Sequence, residues 1–148
     1  MSAQGDHPRS PLDGLAAKLR LPFGTPDFID RIIQGATAEA GRRTLQILFT
    51  TWDQAGGGPF AASAAGAAGA SKATDLIQSQ VAPIFERLLS ALGADDVMFR
   101  AQLCASQLVG VGMIRYGVRS DPIASMDRDR LVDALAPTMQ RYLTGELK

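Results

Sequence analysis

The segment from 100 to 119, RAQLCASQLVGVGMIRYGVR, constrains the fold more than any other part of the chain. It reads as a helix, yet it carries glycines at 110, 112 and 117. Each glycine in a helix interior costs roughly 1 kcal/mol relative to alanine. Its strongly polar residues are Arg100, Gln102, Gln107, Arg115 and Arg119, and apolar residues occupy nearly every side. An ordinary surface helix keeps one polar face. This one must be packed closely on more than one side.

The rest of the chain has to supply those packing partners. Its 148 residues make one domain, long enough to bury a core. With 46% hydrophobic and 20% charged residues the composition is globular rather than disordered. Fifteen basic residues balance fifteen acidic ones, so no overall field draws the chain to nucleic acid or anionic lipid. Arg outnumbers Lys twelve to three beside abundant Ala and Gly, a skew that points to a bacterial source. The single cysteine, Cys104, excludes an internal disulfide and a thiolate metal cluster. The start, MSAQGDHPRSP, lacks the basic and apolar regions of a signal peptide. The longest apolar run, around 108–114, falls short of the ~20 residues that cross a bilayer. These features imply a soluble cytoplasmic protein with no membrane association.

Helical spacing recurs along the chain. Residues 1–10 read as a flexible tail, with the folded domain over 11–148. Leu12, Leu15, Ala16 and Leu19 suggest a short helix that Pro22 stops. Thr25 or Asp27 caps a second, with Phe28, Ile29, Ile32 and Ile33 on it and Gly35 at its end. Leu45, Leu48, Phe49 and Trp52 stand at i, i+3, i+4 and i+7 in a helix over 37–54. Gly56-Gly57-Gly58-Pro59 is a flexible break. The alanine-rich AASAAGAAGA follows at 61–70, and a helix over 72–92 carries a kink expected at Pro83. Asp95 or Asp96 caps the glycine-bearing helix, which ends near Asp121-Pro122. Ser125 starts the last helix, which Gly145 ends. No alternating strand pattern occurs. The expected fold is all-α, a bundle of six or seven helices.

Catalytic chemistry has no constellation here. His7, the only histidine, lies in the tail. Cys104 has apolar neighbours and no histidine nearby, so it reads as a packed thiol rather than a nucleophile. Asp95 and Asp96 side by side fit a helix cap, not an acid/base pair. GAAGASKAT at 66–74 departs from a phosphate loop, because Ser71 replaces the glycine before the lysine and no strand precedes it. Arg42-Arg43 and the Arg128–Arg130 pair, interleaved with Asp127 and Asp129, make no basic stripe for phosphates. No enzyme activity, cofactor or metal is expected.

One resemblance organises these pieces. FRAQLCASQLVGVGMIRYGVRSDPIASMDRDRLVDALAPTMQRYLTG at 99–145 resembles the C-terminal end of tetracycline-repressor-like (TetR family) bacterial regulators. A Gln-Leu-Val-Gly helix is followed by Arg-Tyr, a Pro-Ile-Ala-Ser link and a Leu-Val-x-x-Leu-x-Pro helix ending Arg-Tyr-Leu-Thr-Gly. LRLPFGTPDFIDRIIQGATAEAGRRTLQILFTTWD at 19–53 is similar to the helix pair that opens the same regulatory domain.

The resemblance implies an effector-sensing and dimerisation domain of a transcriptional regulator that binds a small apolar ligand. Its last two helices would meet their copies in a dimeric four-helix bundle, with Leu108, Gly112, Arg115, Leu131, Leu135, Met139 and Tyr142 at the seam. On this view the helix glycines serve the close approach of a second subunit. Phe49, Trp52, Phe60, Phe85, Met98, Cys104 and Met113 would line the effector cavity, since aromatic and sulfur side chains suit apolar pockets. The alanine-rich stretch, unable to fill space, would leave part of that void. The family's helix-turn-helix would precede the segment around Ser10, where only a short tail stands. DNA is therefore expected as a partner only if a further segment or another protein supplies that module. The competing expectation is a stand-alone dimerisation protein that modulates a full-length regulator by forming a heterodimer.

Overall fold

The computed structural model describes residues 27–58, 60, 75 and 77–148. The expected tail, the helix over 12–19 and the alanine-rich stretch lie outside them. Five α-helices and no strand occur among the described residues. They are α1 (Phe28–Ile33), α2 (Ala40–Gln54), α3 (Ala82–Ala91), α4 (Val97–Gly112) and α5 (Arg128–Thr144). A 3₁₀ turn, Thr37–Glu39, leads into α2, and π-helical turns precede α3 (Ile77–Val81) and extend α4 (Met113–Gly117). The all-α expectation is met, with five α-helices among the described residues.

The 3.6-residue periodicity decides what each helix buries. On α2 the expected quartet Leu45, Leu48, Phe49 and Trp52 is fully inside, and α5 contributes Leu131, Val132, Ala136, Met139 and Leu143. These two helices pack most extensively, and Gly41 sets how closely. A Cβ there would stand 2.7 Å from the backbone nitrogen of Gln140 and 2.9 Å from its Cα. The Gly41 amide donates to Gln140 Oε1 at 2.7 Å, filling an early-turn donor that the helix itself leaves orphaned. Arg42 adds an ion pair to Asp133 on the exposed flank.

Two local readings are corrected by the structure, and a third, the cap of α4, holds in position but not in its hydrogen bond. The irregularity expected at Pro83 is the π-helical turn just before it; Pro83 itself lies in the first turn of α3, where no amide donor is needed. Asp127 rather than Ser125 starts the last helix, accepting from the Arg130 amide at 3.3 Å. At α4, Asp96 occupies the cap position in a left-handed conformation (φ 46°) without a side-chain cap bond. Its neighbour Asp95 instead pairs with Arg100 at 2.9 Å.

Arg100 explains that choice. It is almost fully buried, and its guanidinium donates to the carbonyls of Tyr142 (2.9 Å) and Gly145 (2.6 Å). A cation is thereby placed on the orphan acceptors at the negative end of α5. What reads in sequence as a polar surface position is the tie between the start of α4 and the end of α5.

Together α4 and its π turn, Val97–Gly117, are long and apolar enough to cross a membrane by length and composition alone. That corrects the shorter run around 108–114. In the fold this helix is a bundle element: α3 packs along it, and both its arginines make hydrogen bonds within the domain.

Candidate effector site and pairing face

The inner face of α4 meets an aromatic cluster. Trp52, at the end of α2, stands edge-on to Phe60 (ring centroids 5.0 Å apart), to Phe49 (6.1 Å) and to Tyr116 (6.2 Å). Phe60 stacks on Tyr116 at 6.1 Å and 21°. Gly112 makes this arrangement possible, since a Cβ there would lie 2.4 Å from Phe60 Cζ.

Phe60 reaches this place from a loop in which Gly56, Gly57 and Gly58 all have positive φ (71°, 112° and 55°), a region that side-chain-bearing residues avoid. The loop backbone rests on the indole edge, and a Cβ at Gly58 would be 2.6 Å from Trp52 Cδ1. Beneath it the Trp52 Nε1 proton has no hydrogen-bond partner among the described residues, although the residue is only 2% exposed. Leaving such a donor unsatisfied costs about 1–3 kcal/mol.

Beside the aromatics lies an ionic hub. Asp53 receives Arg115 Nε and Nη2 at 3.2 Å each, a two-pronged pair, and the Tyr116 hydroxyl at 2.6 Å. Arg128 approaches the same carboxylate at 3.5 Å. The remaining Arg115 nitrogen donates to the carbonyls of Ile123 (3.0 Å) and Met126 (2.8 Å), pinning the α4–α5 connection. Burial works against the Arg115 charge, but Asp53 outweighs it and holds the guanidinium above its usual pKa. Tyr116 is pushed well above the usual phenol range, first by burial and then by its bond to anionic Asp53. An open cleft of about 320 Å³, lined in part by Asp53, Gly57, Tyr116 and Arg119, adjoins the outer side of the glycine loop. Among the described residues no three His, Cys, Asp or Glu side chains gather to hold a metal.

The outer face of α4 differs. Met98, Gln102, Ser106, Gly110, Ile114 and Val118 form an exposed row at four-residue intervals, and a Cβ on Gly110 would meet nothing within 4 Å. Small Ser106 and Gly110 at the centre, with apolar Met98, Ile114 and Val118 toward the ends and polar Gln102 between, make a ridge of the kind helices use to cross one another.

A family model described as "Tetracyclin repressor-like, C-terminal domain" matches residues 38–143, from the turn before α2 to the last turn of α5. The chain belongs to this family. TetR-like C-terminal domains are regulator domains, not enzymes. Searches of curated proteins and of solved structures return no match.

Within this TetR-like domain, the seven residues expected around an effector separate into two groups. Phe49, Trp52, Phe60, Phe85 and Cys104 are buried in one continuous core, and Met113 is half-buried against it. Met98 stands apart, 69% exposed in the first turn of α4. Burial pushes the Cys104 thiol up to about 12, with Arg100 only partly opposing it, so this is an inert packed thiol.

The residues expected at a dimer seam also divide. Leu108, Gly112, Leu131 and Met139 are buried within their own chain, and Arg115 belongs to the Asp53 hub. Leu135 and Tyr142 are half-buried at the edge of the core. The outer row on α4, together with Phe99 (52% exposed), is the apolar surface that sequence reasoning missed. Its signal was a four-residue repeat of small and apolar side chains, hidden because both faces of that helix are apolar.

Proposed function

We propose that this TetR-like domain senses a small apolar effector and forms a homodimer in the bacterial cytoplasm, and that it reads an operator only where a further segment or another protein supplies a helix-turn-helix. One observation carries the reading. A single helix, α4, has an aromatic cluster closed on its inner face and an uncovered small-and-apolar row on its outer face. A change in the cluster therefore reaches the pairing surface through one rigid element, without a longer path.

The seam proposed here runs along Ser106 and Gly110, flanked by Met98, Phe99, Ile114 and Val118, with Leu135 and Tyr142 at its border. Small side chains at the crossing let two backbones approach, and the flanking apolar groups supply the buried area. Sedimentation equilibrium tests it directly. The chain should be dimeric at micromolar concentration, and Gly110→Arg should be a folded monomer by circular dichroism and sedimentation. A stable monomer of the unaltered chain at high micromolar concentration overturns the pairing.

A further inference from the structure

We propose that the Phe60 side chain is an internal occupant of the effector site, and that the effector displaces it, with Gly58, to engage the Trp52 indole N–H. The proposal rests on the sensing role argued above and assigns the site, its occupant and the ligand chemistry. Four observations converge on it. Phe60 fills a place that exists only because Gly112 has no side chain. Its ring makes the edge-on and stacked contacts with Trp52 and Tyr116 that an aromatic ligand would make.

Next, Gly58 lies across the indole edge, with Trp52 Nε1 only 3.1 Å from where its Cβ would be, and leaves that buried donor unsatisfied. A native core ordinarily pairs such a group. Finally, three consecutive glycines with positive φ lie between α2 and Phe60, and an open cleft adjoins the loop through Gly56 and Gly57.

The best-fitting ligand has one aromatic ring to replace that of Phe60 and one carbonyl-type acceptor placed for Trp52 Nε1. An isolated hydrocarbon would fill the space and leave the donor unpaired. A ligand with several charges would be excluded by the apolar walls.

The test compares acetophenone, a ring with a carbonyl acceptor, with isopropylbenzene, its near-isosteric counterpart without one. Phe60→Ala removes the occupant, so it should bind both probes at least tenfold more tightly than the unaltered chain, which must first populate a displaced state of about 10% or less. Trp52 emission should shift saturably in both proteins. Trp52→Phe, followed by calorimetry, should weaken acetophenone about threefold to tenfold relative to isopropylbenzene.

Equal affinities in the unaltered chain and Phe60→Ala overturn the displacement. So does the lack of a Trp52-dependent preference for acetophenone. Either result leaves sensing at another site standing, whereas a domain whose sedimentation and melting respond to no small molecule sinks the sensing role itself. If Phe60→Ala fails to fold, the unaltered chain decides. Saturating acetophenone should move the Phe60 ring resonances from ring-current-shifted positions toward those of a free phenylalanine, and unmoved resonances overturn the proposal.

Discussion

Gly110 and Gly112 stand two residues apart on the same helix and do opposite things. A side chain on Gly112 would collide with Phe60 at 2.4 Å, while one on Gly110 would enter open space. Two positions along a helix is a turn of about 200°, so the pair samples its two faces. The inner glycine yields its volume to an aromatic ring of its own chain. The outer one leaves backbone bare on a row that the other described residues do not cover. Their propensity cost is the same, and only the surroundings tell their purposes apart.

The sharpest way to break this contrast is to fill both sites. Gly112→Leu should destabilise the domain by roughly 3 kcal/mol, because a side chain there overlaps the buried Phe60 ring. Urea unfolding checks this, and a loss below 1 kcal/mol means that the inner face is loosely packed.

The closed face can also be tested through its ionic support. Asp53→Ala should remove about 2–3 kcal/mol, less than a fully buried pair because the Asp53 carboxylate is partly exposed. It strands the Arg115 guanidinium and frees the Tyr116 hydroxyl at once. Double-mutant cycles with Tyr116→Phe should therefore be non-additive, and additivity argues against a shared hub.

Alkaline pH probes the same face without mutation. Cys104 and Tyr116 both have folded-state pKa values raised above their unfolded ones, by burial in each case. A raised acid stays neutral in the fold, so its stabilising contribution is complete below the unfolded pKa and is lost as pH climbs toward the folded one. Stability should be flat to about pH 8.5, then fall above 9 by up to about 1.4 kcal/mol per pH unit for Cys104. Tyr116 adds a similar slope above 10. Cys104→Ala should erase the earlier part of the decline; an unchanged profile would assign it to other groups.

The smallest effect sharpens the comparison from the other side. Gly110→Ala should raise the stability of the monomer by about 0.5–1 kcal/mol, the ordinary gain of replacing a helix-interior glycine. If Gly110 lies at a subunit crossing, the same change should weaken association in sedimentation. A gain in both measurements would move the seam away from Gly110.

Much of the fold was legible because helices are local objects. The quartet on α2 announced its buried face through spacing alone, and Gly145 marked the end of α5. The aromatic and sulfur residues expected around an effector cavity were readable by type, and most of them are buried together in the core. Arg100 was not readable in this way. Its role depends on carbonyls more than forty residues away, which no window on the sequence contains.

By itself, the sequence determined that this chain is helical, that it buries one stripe of each helix and that it carries the pattern of a TetR-like regulatory domain. Tertiary structure alone decided which side of the doubly apolar helix is filled. Gly41 meets Gln140 across 99 positions, and Phe60 comes to Gly112 from a separate loop. Periodicity records that a face is apolar through the chemistry of its own residues. Whether that face is covered depends on the volume another segment brings to it, and that information lies in the packing.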